Sequence, residues 1–227
     1  GMANLGLHTM YDLFNSIPDV SCERVFLPDP TEMAEYEKSR STLMSLETQT
    51  PVRDFDIVAF SISFETDYLN MARMLQLSGI PVWSKDRNHF HPLVVMGGAA
   101  SFLNPEPIAD FTDIIAVGEG EILAFQLVDA IVENETKEDI LLALARIGRG
   151  FYVPSLYDVI YNDDGTVFDY IPNQEGVPRR VGRAVASVNP KEGTLRRALK
   201  RGETELADFL VNQEIFCPST SVWSPEA

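Results

Sequence analysis

Cysteine is scarce in this chain. Its 227 residues include only Cys22 and Cys217, too few for a disulfide framework or a four-thiolate metal site. The resulting expectation is a reduced, cytoplasmic protein. Long apolar runs are missing too. None approaches the ~18 residues of a membrane span, and the N-terminus lacks the basic-then-apolar order of a secretory signal. Positive charge is also short, with 18 Lys and Arg against 34 Asp and Glu and a formal net charge of −16. That balance excludes broad binding to nucleic-acid phosphates, which needs clustered cations. It disfavours anionic membrane surfaces for the same reason.

Several catalytic signatures are absent as well. There is no GxGxxG after a strand, no GxxxxGK[ST], no GxSxG and no HExxH. Dinucleotide, P-loop, serine-hydrolase and zinc-protease readings therefore lose their support. A phosphoacceptor receiver domain would want acidic residues after its first strand and a lysine after its last. Gly1–Gly6 and Gly118–Glu121 stand in those places.

What remains is ordinary globular composition, 45% apolar with 14 Gly and 14 Pro. At roughly 150 residues per domain, one large domain over 1–186 and an extension over 187–227 is the natural division. Leu7, Met10, Tyr11 and Phe14 form a helical stripe. Ser21–Phe26 reads as a short strand, and Thr31–Lys38 as a polar helix. Ser39–Arg53 reads as a surface excursion. Asp56–Ser61, Leu93–Met96 and Asp113–Val117 are short apolar runs of the kind buried on both faces of a parallel sheet. Between them fall a helix over Phe64–Ser78, with Tyr68, Met71, Ala72 and Leu75 on one face, and a further short strand, Ile80–Trp83. Helices over Glu121–Val132 and Lys137–Ile147 follow. The expected fold is therefore α/β: a Rossmann-like, mostly parallel sheet with helices on both faces. Gly150–Tyr152, Val159–Tyr161 and Val167–Ile171 predict a small β-rich appendage, with Arg179–Val185 as a further strand. A last helical stretch, Thr204–Val211, lies in the charged tail.

Ligands of open α/β sheets bind beyond the carboxyl ends of the strands. Four loops are expected to gather there: Gly1–Gly6, Ser61–Phe64, Gly97–Ala100 and Gly118–Glu121. The candidate binding residues are Asn4, Leu5, Gly6, Ser61, Ile62, Ser63, Phe64, Gly97, Gly98, Ala99, Ala100, Gly118, Glu119 and Gly120. Glycine lets backbone approach a ligand closely. Each loop also has a structural reading. Gly97-Gly98 is a tight strand-to-helix turn, Glu119 and Glu121 suit a helix N-terminus, and Ser61 and Ser63 satisfy local backbone groups. His89 and His91 precede a strand without a further metal-ligand pattern, so a solvated loop is expected. Cys22 reads as an inert core thiol.

The ordered strings carry a resemblance. Gly1-Met2-Ala3-Asn4-Leu5-Gly6, Cys22-Glu23-Arg24-Val25-Phe26-Leu27-Pro28 and Asp54–Glu65 (DFDIVAFSISFE) resemble a radical SAM protein family. Gly97-Gly98 with Asn104-Pro105-Glu106-Pro107, Val117-Gly118-Glu119-Gly120-Glu121 and Gly150–Tyr157 (GFYVPSLY) continue it in the same order. The resemblance implies that 1–186 is a cobalamin-binding-like domain and that 187–227 is a linker or the start of a radical SAM domain. In that second domain a CxxxCxxC motif holds a [4Fe–4S] cluster that cleaves S-adenosylmethionine. Two isolated cysteines cannot supply three cluster thiolates, so no catalytic residue is assigned within this chain. The partner implied is the enzyme's own radical SAM domain.

Two departures from the family pattern bear on the expected cofactor. The DxHxxG motif that gives cobalt a histidine in many cobalamin-binding folds is missing. The strand implied before Gly1-Met2-Ala3-Asn4 is missing too, which predicts an unusual edge or gap near Ser21–Phe26. A homo-oligomer through that exposed sheet edge is a second expected partner. The leading expectation is a corrinoid lying across the glycine loops. Gly98→Val is then expected to abolish its binding and leave the fold largely intact. The alternative is a cofactor-free substrate-docking or protein-interaction module of the same fold.

Overall fold

The structure is a computed structural model that describes residues 5–185. Its centre is a four-stranded sheet in the order β1-β2-β3-β4. The strands are β1 (Ile57–Ser61), β2 (Leu93–Gly97), β3 (Ile114–Ala116) and β4 (Phe151–Tyr152). The first three run parallel and β4 is antiparallel to β3. All three apolar runs thus share one sheet, within a residue or two of their expected bounds.

β2 explains the layering. Side chains alternate across a strand, and both faces of β2 are buried. Leu93 and Val95 join Ile114 in one cluster with α5 (Gly120–Glu133) and α6 (Lys137–Arg146). Val94 and Met96 join Val58, Ile115 and the Tyr68, Met71 and Leu75 face of α3 (Tyr68–Leu77) in the other. Helices therefore cover both faces, each apolar side chain so buried contributing about 1.5–3 kcal/mol. The amphipathic α1 (Leu5–Asn15) and the turn after it place Leu13, Phe14 and Ile17 against Phe125 and Val128 of α5. A Pro-led helix, α2 (Pro30–Ser39), starts from a capping box in which Asp29 and Glu32 satisfy each other's backbone amides.

Several expectations are corrected. Ser21–Phe26 is not a strand, because side chains take the groups a neighbouring strand would need. Asn15 brackets Cys22, donating to its carbonyl at 3.0 Å and accepting its N–H at 2.9 Å. Glu47 accepts the Arg24 N–H at 2.7 Å. Ile80–Trp83 is not a strand either; the carbonyls of Pro81 and Val82 accept from the Arg87 guanidinium. Ser39–Arg53 is more than surface, for Leu43, Ser45 and Val52 are buried around the Met44–Pro51 bridge.

The β-rich region divides. β4 completes the main sheet, while β5 (Tyr157–Tyr161) and β6 (Val167–Pro172) form a separate antiparallel hairpin. At the junction of hairpin and body Glu106 is near Tyr152 and Tyr170, where its negative charge adds to burial in raising both tyrosine pKa values. Arg179–Val185 supplies only isolated parallel bridges, Gly182 to Arg149 and Ala184 to Gly118. The tail helix expected over Thr204–Val211 lies outside the described residues.

Candidate functional site

The amino end of the sheet is locked by one buried cation. Arg87 has a side chain 2% exposed and uses all five of its N–H groups. They reach Asp113 Oδ2 at 3.1 Å and Oδ1 at 3.0 Å, and the carbonyls of Pro81 (2.9 Å), Val82 (3.1 Å) and Phe111 (3.1 Å). Asp113 also accepts the Val94 N–H at 2.7 Å, fixing β2 against the start of β3. Beside this pair Lys137 donates to the Asn88 carbonyl at 2.9 Å, its pKa lowered chiefly by burial. Nothing in the sequence pattern singled out Arg87; only the fold brings Pro81, Phe111 and Asp113 around it.

The carboxyl end carries the expected loops. Ser61–Phe64 and Gly97–Ala100 do meet there. The Ile62 N–H donates to the Gly97 carbonyl at 2.8 Å, and the Ala100 N–H donates back to the Ile62 carbonyl at 3.1 Å. Tyr68 extends the seam by donating to the Asn104 carbonyl at 2.9 Å. Ser61, Phe64, Gly98 and Ala99 are exposed, Ser63 and Gly97 half-buried, and Ile62 and Ala100 buried. The rim also presents Phe64 and Leu103, each 68% exposed, Leu103 closing the short α4 (Ala100–Leu103).

The Gly118–Gly120 loop is placed at the same end but is covered. Ala184 lies against it: the Glu119 N–H donates to the Ala184 carbonyl at 3.0 Å, and the Ala184 N–H donates to the Val117 carbonyl at 2.9 Å. A side chain at Gly118, whose φ is +146°, would fall on the Ala184 backbone. Gly120 faces the Met10 thioether of α1, so this glycine accommodates helix packing. Arg183 then lies over the Phe102 ring at 4.8 Å. The rim is therefore closed on the β3 side by 182–185 and open on the β1–β2 side. The sequence signal for the closing strap was weak because Arg179–Val185 has no strand pattern of its own.

Two expected details change. Leu5 and Gly6 belong to the first turn of α1 rather than to a loop, and Asn4 lies outside the described residues. Gly98 has φ +102°, and a Cβ there would sit 2.5 Å from the Ile62 carbonyl oxygen. Its missing side chain makes room for the protein's own backbone. Gly98→Val would accordingly damage the β1–β2 seam, so it does not leave the fold largely intact. His89 and His91 sit in the loop before β2, where the His91 ring accepts the Asn88 N–H at 3.1 Å.

Residues 6–154 match the family of radical SAM proteins, N-terminal. The match spans more than half of the chain, and the chain belongs to that family. No curated protein and no solved structure gives a match. Among the described residues there is no cluster of three His, Cys, Asp or Glu suited to a metal ion, and no helix long and apolar enough to cross a membrane.

The family uses S-adenosylmethionine and an iron–sulfur cluster through its catalytic domain. The cluster does not fit this chain, whose two cysteines fall short of its three thiolates. Cys22 is half-buried and its thiol pKa is raised by burial, with Glu47 and Glu23 adding to the rise, which opposes thiolate ligation. For a corrinoid, the open part of the rim offers the exposed residues Ser61, Gly98 and Ala99, while its loops contain no histidine to serve as an axial ligand.

Proposed function

We propose that this α/β unit is the positioning half of a radical SAM enzyme, and that the open part of its carboxyl-end rim is the face that docks the catalytic half. One observation carries this reading. Phe64, after β1, and Leu103, at the end of α4, stand 68% exposed on two segments that are hydrogen-bonded to each other. Exposed large apolar side chains on a stitched, rigid edge are costly in water and suit a partner surface. The unit contributes placement; the cluster and S-adenosylmethionine of the other half contribute the chemistry. The test is a titration of the separately produced catalytic half against this chain and against Phe64→Ser/Leu103→Ser. The parent should bind and the double variant should lose at least about tenfold in affinity. Equal affinity would remove the rim from the interface.

A second reading places a corrinoid on the same rim, resting on the exposed residues Ser61, Gly98 and Ala99. Without a histidine in the rim loops, the corrinoid would be held by surface contact alone. Cobalamin added to the protein should then leave a visible spectrum after desalting, and Ser61→Ala should weaken binding by about 1 kcal/mol, the loss of one neutral hydrogen bond. A colourless protein after desalting would leave the docking reading alone.

A further inference from the structure

Cations are scarce in this chain, 18 against 34 acidic residues, yet three arginines line one cleft. The cleft lies between α2 and the end of α3 and has a volume of about 310 Å³, the lower end of the range of small-molecule sites. Arg40, Arg53 and Arg73 line it together with Glu37, the one carboxylate among its described lining residues. Tyr36 and Leu77 give it an aromatic and an aliphatic wall, both packed in part on the buried cluster beneath.

The fold does not need these cations. Basic side chains near a helix C-terminus often serve its last carbonyls, but those of α3 are already served. The Ser78 N–H and hydroxyl donate to the Met74 carbonyl, the Ile80 N–H to Leu75 and the Gly79 N–H to Gln76. The Leu43 N–H donates to the Leu77 carbonyl, and the Thr42 hydroxyl donates to the Ser78 carbonyl. Arg53 stands 3.7 Å from Asp54 with both side chains more than half exposed, a geometry that contributes little to stability. Its guanidinium extends across Gly79, with Nη1 3.6 Å from where a Cβ would stand. Arg73 pairs with Glu37 and donates to Gln76 Oε1 at 3.3 Å, again at the surface. Arg40 makes no ion pair or hydrogen bond among the described residues. It ends α2 in the left-handed conformation, φ +56°, where glycine is the low-strain choice. An arginine is thus held at a strained position with no described partner.

We propose that this cleft binds the phosphate group of a small phosphorylated molecule. Guanidinium forks match phosphate oxygens two at a time. Three positive charges against Glu37 leave the lining at +2, and a phosphate monoester is close to a dianion above its second pKa near ~6. A carboxylate would match only half of that charge. Arg40 is free to take the phosphate, and Arg73 is shared between the phosphate and Glu37. Tyr36 and Leu77 suit an apolar or aromatic body attached to the phosphate. An extended polyanion is repelled by the chain's net charge of −16, whereas a small one is enclosed by the cleft. No residue of the cleft belongs to the docking rim proposed above, so either reading can fail without the other.

The experiment is an isothermal titration of the full chain with phenyl phosphate near neutral pH and at low salt, with phenol and benzoate as controls. The parent should bind phenyl phosphate with a Kd of about 1 mM or tighter, benzoate more weakly and phenol not at all. Arg40→Gly removes a cation where the backbone favours glycine. It should weaken binding at least about tenfold while the thermal midpoint holds or rises. Glu37→Gln releases Arg73 from its pair and should tighten binding several-fold. If Arg40→Gly fails to fold, Arg73→Gln decides the matter and should weaken binding to the same extent. The proposal is overturned by a parent that ignores phenyl phosphate, by phenol bound equally well, or by undiminished binding in the folded arginine variant. Benzoate bound as tightly as phenyl phosphate would also overturn it, in favour of a carboxylate ligand.

Discussion

The two ends of the parallel sheet are built on opposite principles. At the amino end a charged side chain reaches inward, and Arg87 satisfies three carbonyls and Asp113 at once. At the carboxyl end the backbone itself makes the joints, through the Ile62, Gly97 and Ala100 bonds and the Ala184 strap. The first arrangement buries its polar groups and leaves nothing for a partner. The second leaves Ser61, Gly98, Ala99, Phe64 and Leu103 at the surface of a seam whose position is already fixed. Rigidity and availability coexist at one end because the rigid element is backbone and the available elements are side chains and loop crests.

The largest effect should come from breaking the amino-end lock. Arg87→Met removes the charge and strands Asp113, which is 13% exposed, among carbonyls. Loss of one partner of a buried pair costs about 3–5 kcal/mol, so urea unfolding should show a drop of that size. Gly98→Val comes next. A branched side chain at φ +102° directed at the Ile62 backbone combines strain with overpacking, and about 3 kcal/mol should be lost in the same assay. A Gly98→Val protein as stable as the parent would mean that the carboxyl end is not stitched through Ile62.

The hairpin junction sharpens the contrast through pH. Burial, and after it the Glu106 carboxylate, raise the Tyr152 pKa above the ordinary 10.0 of tyrosine. Tyr170 is raised in the same order of causes, and Tyr157 by burial. A raised folded pKa favours the protonated native state. Its contribution is whole below the unfolded pKa and is lost as pH rises above ~10. Thermal midpoints should therefore fall on the alkaline side, and less steeply in Tyr152→Phe. The smallest change belongs to the rim. Phe64→Ser and Leu103→Ser should each shift stability within about 0.5 kcal/mol, because neither side chain is packed.

The strands of the sheet were legible because each depends on its own residues. Asp56–Ser61, Leu93–Met96 and Asp113–Val117 are apolar on consecutive positions, a pattern that only burial on both faces accommodates. The Tyr68, Met71 and Leu75 face of α3 followed from spacing in the same way, with Gly79 ending the helix at φ +69°. Ser21–Phe26 and Ile80–Trp83 have strand-like composition, yet side chains outside each segment, Glu47 for the first and Arg87 for the second, claim some of their backbone groups. Propensity cannot anticipate such competition.

The candidate site divides along the same line. That Ser61–Phe64, Gly97–Ala100 and Gly118–Gly120 fall at one end of the sheet follows from strand order, which the apolar runs already imply. What each glycine is for does not follow from sequence. Gly98 yields to Ile62, Gly118 to Ala184 and Gly120 to Met10, contacts across tens of residues that exist only once the chain is folded. Hydrophobic periodicity is a local property, so the residues alone sufficed for the three parallel strands, the helices packed on them and the family. The open and closed halves of the rim and the Arg87 lock depend on which groups meet in the folded chain, and tertiary packing decided those.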